Sequence, residues 1–87
     1  MYIILVYDVS EKRCNKMLKL CREYIHHIQN SVFEGEVTGS NFAVIKSGIK
    51  ELINEEKDSV IIYQFDSQNY TNREVIGIEK NETDSFI

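Results

Sequence analysis

The 87 residues carry a formal net charge of −4, with 43% hydrophobic residues, two cysteines and no proline. That length bounds the chain to one domain near the small end of what folds alone, and the acidic balance argues against a strongly basic nucleic-acid binder. No stretch approaches the roughly 20 apolar residues of a membrane span, and the start lacks a basic region followed by a small-residue cleavage site, so a cytoplasmic protein is expected.

The chain opens on Tyr2 to Tyr7, six consecutive apolar or aromatic residues with no helical period. Such a run predicts a central strand buried on both faces. It ends on Asp8, an acid that a buried strand does not need, and Ser10 then stands as a helix N-cap. Asp8 is read as the only acid at the mouth of a buried strand, a place where ligands bind in open α/β sheets. One carboxylate suits Mg²⁺, which uses one or two carboxylates with waters and substrate phosphates, and a symmetric dimer could bring two copies together. An Asp that merely ends a strand and favours the turn fits equally well.

From Glu11 to Tyr24, Cys14, Met17, Leu18, Cys21 and Tyr24 fall on one helical stripe. Cys14 and Cys21 are seven residues apart on this helix. That is roughly 10 Å, too far for a disulfide, so both are expected to be reduced. The opposite side carries Lys12, Lys16 and Lys19, with Arg13 one turn into the helix. Arg13 could pair with a phosphate or stabilise developing charge, while the lysines fit a solvated surface or a polyanion contact. Charge is unevenly placed: residues 1–33 hold five bases and three acids, a net of +2, and residues 34–87 hold five bases and eleven acids, a net of −6.

Residues 26–38 read as strand, a tight turn near Asn30-Ser31, then strand, with Gly35 marking a bulge or a close backbone approach. His26 and His27 are expected as exposed residues at a strand start, possible bases or plain surface. Thr38 or Ser40 caps a second helix expected to run to about Lys57, with Phe42, Ile45, Ile49, Leu52 and Ile53 as its buried stripe. Gly48 within it suggests close packing on the sheet. Ser59 to Phe65 is a second near-continuous apolar run, expected as a second core strand, and Arg73 to Ile78 reads as a short extra strand after a polar loop. The chain ends on Phe86-Ile87 with nothing local to bury against.

The order is that of an α+β, ferredoxin-like β-α-β-β-α-β sandwich with an extra C-terminal strand. Residues 1–78 are expected to form the domain and 79–87 a tail packing on a partner protomer. No Gly-rich phosphate loop, Cys pair of zinc spacing or RNA-recognition signature stands in the chain. A non-catalytic ligand-binding or RNA-binding regulatory domain of the same topology is therefore the alternative.

Four segments carry a family resemblance: Tyr7-Asp8 followed by Lys12-Arg13, Gln29 to Gly35, Asp58 to Tyr63, and the terminal Phe86-Ile87. Together they resemble CRISPR-associated protein two, the small partner of the integrase in spacer acquisition. The resemblance implies a ferredoxin-like fold, a symmetric homodimer, and a metal-dependent endonuclease acting on RNA or double-stranded DNA. It also implies a scaffold that bridges spacer DNA between integrase subunits. It places Mg²⁺ (or Mn²⁺) on Asp8, shared across the dimer, with supporting roles for Tyr7, Arg13, Ser31 and Phe33. Lys12, Arg13, Lys16 and Lys19 are the expected nucleic-acid contacts.

Overall fold

The computed structural model describes residues 1–66 and 74–77. The elements run β1 (Tyr2–Asp8), α1 (Glu11–Arg22), β2 (His26–Gln29), β3 (Val32–Glu36), α2 (Gly39–Leu52) and β4 (Ser59–Phe65). The four strands form one sheet in the order β2-β3-β1-β4. Every neighbouring pair is antiparallel, which is the ferredoxin-like arrangement.

Alternation along β1 divides the sheet into two unlike faces. Ile3, Leu5 and Tyr7 point to the helices and pack with Phe33, Met17, Cys21, Ile45 and Ile49 in the core. Ile4 and Val6 point the other way and are only half-buried, and Asp8 continues their face. The expectation of a strand buried on both faces thus holds for one face only. Both helices lie on the Ile3 side; on the other face Tyr2 is buried, while Ile4 and Val6 are half-buried and Asp8 is exposed.

The same face carries Ile61 and Tyr63 of β4, paired with Val6 and Ile4, and these are 49% and 54% exposed. Ser59–Phe65 is therefore not a core strand. It stands at the edge of the sheet, and its inward residues Val60 and Ile62 are only partly buried. A continuous apolar run misleads here because one face of it is left open.

Thr38 caps α2, its Oγ1 accepting from the Asn41 amide at 3.0 Å. Ser10 occupies the N-cap of α1 without a side-chain cap, and its carbonyl accepts from the Arg13 amide at 2.8 Å. The second helix stops at Leu52 rather than near Lys57. Ile53 turns to extended backbone, and Asn54 Oδ1 accepts from the Glu56 amide at 3.0 Å. That side-chain turn competes with the helix and wins despite the helix-forming Glu55-Glu56-Lys57.

The turn between β2 and β3 falls at Asn30, in left-handed backbone with φ 42, which Asn tolerates. Gly35 marks a close approach: a Cβ there would meet Ile25 Cγ2 at 3.0 Å. The bulge lies instead in β2, between His27 and Gln29. Gly48 is a close approach too, but to Leu20 of α1 and not to the sheet. The extra strand expected over Arg73–Ile78 is not formed at residues 74–77, where Ile76 is 90% exposed. A strand exists only through ladder bonds to an edge, and none of the four described strands pairs with these residues. Arg73, Ile78 and the tail 79–87 lie outside the described residues.

Candidate functional site

Asp8 is the last residue of β1 and is exposed. On one side its strand ends at Tyr7, whose amide donates to the Ser31 carbonyl at 3.1 Å. On the other side Asp8 is paired with Ser59 of β4. The carboxylate therefore stands at the rim of the half-exposed apolar face, one residue past the contact with Ser31 and beside the start of β4.

The other expected site residues divide by face. Tyr7, next to Asp8 in sequence, points the opposite way, because successive strand residues do. It is buried against Phe33, with ring centroids 6.0 Å apart, and Phe33 is fully buried. Burial, with Cys21 and then Cys14 nearby, pushes the Tyr7 phenol up to about 12. Tyr7 and Phe33 thus meet each other in the core and do not join Asp8.

His27 belongs to this inner group and is not the exposed residue expected. It is 8% exposed and stacks on Phe33 with centroids 4.7 Å apart. Its Nε2 donates to the Asn30 carbonyl at 2.7 Å, so the ring helps hold the turn that carries Ser31. The bulge in β2 shifts the register and lets a residue expected at the surface face inward. His26 is exposed.

Cys14 and Cys21 are both free, as expected, the first half-buried and the second fully buried. Burial pushes the Cys21 thiol up to about 12, so it is an inert core group.

Lys12, Lys16 and Lys19 are exposed on α1, in the helix layer and thus across the sheet from the open face that Asp8 continues. Arg13 does not share their exposure. Its Nη2 donates to Asp58 Oδ1 at 3.0 Å and its Nε donates to Oδ2, a bidentate pair. Those hydrogen bonds from Arg13 hold the Asp58 carboxyl well below the usual carboxylate range; burial opposes this, and the amides of Asn54 and Ser10 and the Arg13 charge add to it. The Asp58 hydrogen bond in turn raises Arg13 above its ordinary value.

Asp58, expected only as the first residue of a family-like segment, joins this end of the sheet. Asp8 is not the only acid at that end of the sheet, because β4 runs antiparallel to β1 and begins where β1 ends. The available signal was an acid directly before an apolar run, hidden at the end of the charged stretch Glu55 to Asp58.

Among the described residues no group of three or more His, Cys, Asp or Glu could hold a metal. A single exposed carboxylate fits Mg²⁺ only where waters, phosphates or a second Asp8 complete the shell. Asp8 is exposed, so waters, phosphates or a second Asp8 could reach it.

Comparison with known proteins supplies the family. The family described as CRISPR associated protein Cas2 matches residues 1–73. A "CRISPR-associated endoribonuclease Cas2" of Thermococcus kodakarensis is 53% identical over 87 residues, covering 100% of both chains. The protein of the same name from Dictyoglomus turgidum is 47% identical, again covering 100% of both. A solved structure described as "Crystal structure of cas2" superposes with a TM-score of 0.83 at 40% identity, covering 92% of this chain and 90% of that one. Streptococcus pyogenes Cas2 at pH 6.5 superposes with a TM-score of 0.78 at 34% identity, covering 88% of this chain and 100% of that one. With the family model matching residues 1–73 and relatives about half identical over the full chain, the chain belongs to the Cas2 family of CRISPR-associated proteins.

Proposed function

We propose that this protein is a CRISPR-associated endonuclease that hydrolyses phosphodiester bonds of RNA or double-stranded DNA, as a homodimer, with Mg²⁺ or Mn²⁺ held by Asp8. The observation that carries the reading is the position of Asp8: an exposed carboxylate at the rim of a sheet face on which Ile61 and Tyr63 are half exposed. The relatives' name, endoribonuclease, supports the reaction class. Ile4, Val6, Ile61 and Tyr63 present apolar surface that a second copy would cover, and a two-fold contact there brings two Asp8 carboxylates toward one axis. Among the described strands β4 stands at the sheet edge, which extends the same surface.

Within that dimer each residue has a physical task. Two Asp8 carboxylates repel, so each favours a cation between them. The Asp8 carboxylates would hold the ion, which would supply positive charge for a scissile phosphate and acidify a bound water. The Ser31 carbonyl holds the amide of Tyr7, and Asp8 itself pairs with Ser59, so the strand end that carries the Asp8 side chain is tied on both sides. Tyr7 and Phe33 act through packing, because both are buried behind the strand. Lys12, Lys16 and Lys19 supply charge for phosphates on a separate surface.

That separation favours a second role. The basic face of α1 is independent of Asp8 and fits a scaffold that bridges spacer DNA together with the CRISPR integrase. Asp8→Asn keeps the size of the side chain and removes its charge. It is expected to abolish chelator-sensitive cleavage while fold, dimer and DNA binding persist. Equal cleavage by wild type and variant, purified identically, places the activity elsewhere. No cleavage by either, across metals and pH, leaves the bridging role alone.

A further inference from the structure

Asp58 is the only buried carboxylate among the described residues, and it stands at the same end of the sheet as Asp8. Its neighbour Ser59 is the partner of Asp8 in the β1–β4 ladder. The Asp58 side chain is closed to solvent and that of Arg13 is 15% exposed. Asp58 Oδ1 accepts from the Ser10 amide at 3.0 Å and from Arg13 Nη2 at 3.0 Å. Its Oδ2 accepts from the Asn54 amide at 2.9 Å and from Arg13 Nε. One side chain thus ties together the turn after Asp8, the first part of α1, and the connection after α2.

We propose that Asp58 and Arg13 form a positioning pair for Asp8, fixing the backbone that leaves β1 and with it the place of the Asp8 carboxylate. The inference rests on the reading of Asp8 as the metal-holding acid, and it removes Arg13 from the expected phosphate contacts. A carboxylate on the last residue of a strand moves with whatever its following turn does. Here that turn is Val9-Ser10, and the Ser10 amide is bonded to Asp58. Metal-holding groups need placement within about 0.5 Å, which a turn free on that side does not give. The pair also has a built-in geometric demand. Two parallel N–H donors on a planar guanidinium match two carboxylate oxygens, and a lysine ammonium cannot reproduce that fork. A guanidinium spent in this way is largely buried and is not presented to a polyanion.

The test uses the full-length protein with Asp58→Asn, Arg13→Ala and Arg13→Lys, each assayed well below its own melting temperature. Three quantities are read: the Mg²⁺ concentration for half-maximal cleavage of single-stranded RNA, the KM for that RNA, and amide exchange at Ser10. Asp58→Asn and Arg13→Ala are expected to raise the Mg²⁺ requirement roughly 10-fold to 100-fold, the usual cost of losing an outer-shell partner. KM should stay at the wild-type value and Ser10 exchange should quicken. Arg13→Lys should recover part of the loss, because it keeps the charge without the fork. A lower melting temperature with an unchanged Mg²⁺ requirement makes the pair merely structural and overturns the proposal. A raised KM in the Arg13 variants at an unchanged Mg²⁺ requirement makes Arg13 a nucleic-acid contact and also overturns it. If the wild type neither cleaves nor binds Mn²⁺, the reading of Asp8 fails by itself. The pair is then judged on the Asp8 and Ser10 amide resonances of Asp58→Asn, where shifted resonances sustain it and unchanged ones overturn it.

Discussion

Asp58 gives the folded protein a handle on acid stability. As a carboxylate it accepts from Arg13, Ser10 and Asn54, and its folded pKa lies below the ordinary value. In the unfolded chain it returns to about 3.9. Between those two values the unfolded chain binds the extra proton, so stability falls as pH falls. The contribution is complete above about pH 5 and is progressively lost below it. Urea midpoints measured at about pH 7 and about pH 3 should therefore fall less in Asp58→Asn than in wild type. Equal falls would mean that Asp58 does not carry the acid dependence. At this scale the sequence made Asp8 legible, because an acid closing a six-residue apolar run is conspicuous. It hid Asp58, because the meaning of that acid depends on which strand β4 pairs with. It also misplaced His27, since a bulge in β2 is a tertiary event that local composition does not announce.

The elements owe their packing to two glycines with different neighbours. A Cβ on Gly35 meets Ile25 at Cγ2, Cβ and the backbone Cα, at 3.0, 3.3 and 3.4 Å. The tight contacts are to Cγ2 and Cβ of a β-branched residue, which cannot swing aside as a long side chain does, so Gly35→Ala should destabilise by about 1–3 kcal/mol. A Cβ on Gly48 meets only the far end of Leu20, with both Cδ atoms at 3.0 Å. That tip can rotate, and Ala gains about 1 kcal/mol of helix propensity over Gly, so Gly48→Ala should stay within about 1 kcal/mol of wild type. Chemical denaturation of both variants checks the order, and a larger loss at Gly48 would contradict this packing. The two helices, the hairpin turn at Asn30 and the topology were readable from periodicity and turn residues. The C-terminus of α2 was not, because the Asn54 side-chain turn outweighs propensity. Nor was the edge position of β4, because an apolar run reads the same whether its second face meets core or lies open.

For the whole molecule, charge and exposed apolar surface point to partners. Lys12, Lys16 and Lys19 project from the helix layer, while the acidic excess lies in residues 34–87. If the basic face carries duplex DNA, removing one lysine–phosphate pairing should lower the magnitude of the log affinity against log salt slope by roughly 0.9. Lys16→Glu with Lys19→Glu should weaken binding of duplex DNA and of the integrase–DNA complex, and an unchanged slope would show a merely solvated face. The family was legible from short segments such as Gln29 to Gly35, whereas the unlike faces of the sheet became visible only once register was known. Among the described residues no helix is long and apolar enough to cross a membrane. In the proposed dimer, the face with Ile61 and Tyr63 half exposed meets a second copy and two Asp8 carboxylates share one ion. Calorimetric titration of Mn²⁺ into the wild-type protein and Asp8→Asn tests this most directly. One ion per two wild-type chains and none for the variant is the expected result; one ion per chain, or undiminished binding by Asp8→Asn, would rule out a shared Asp8 site.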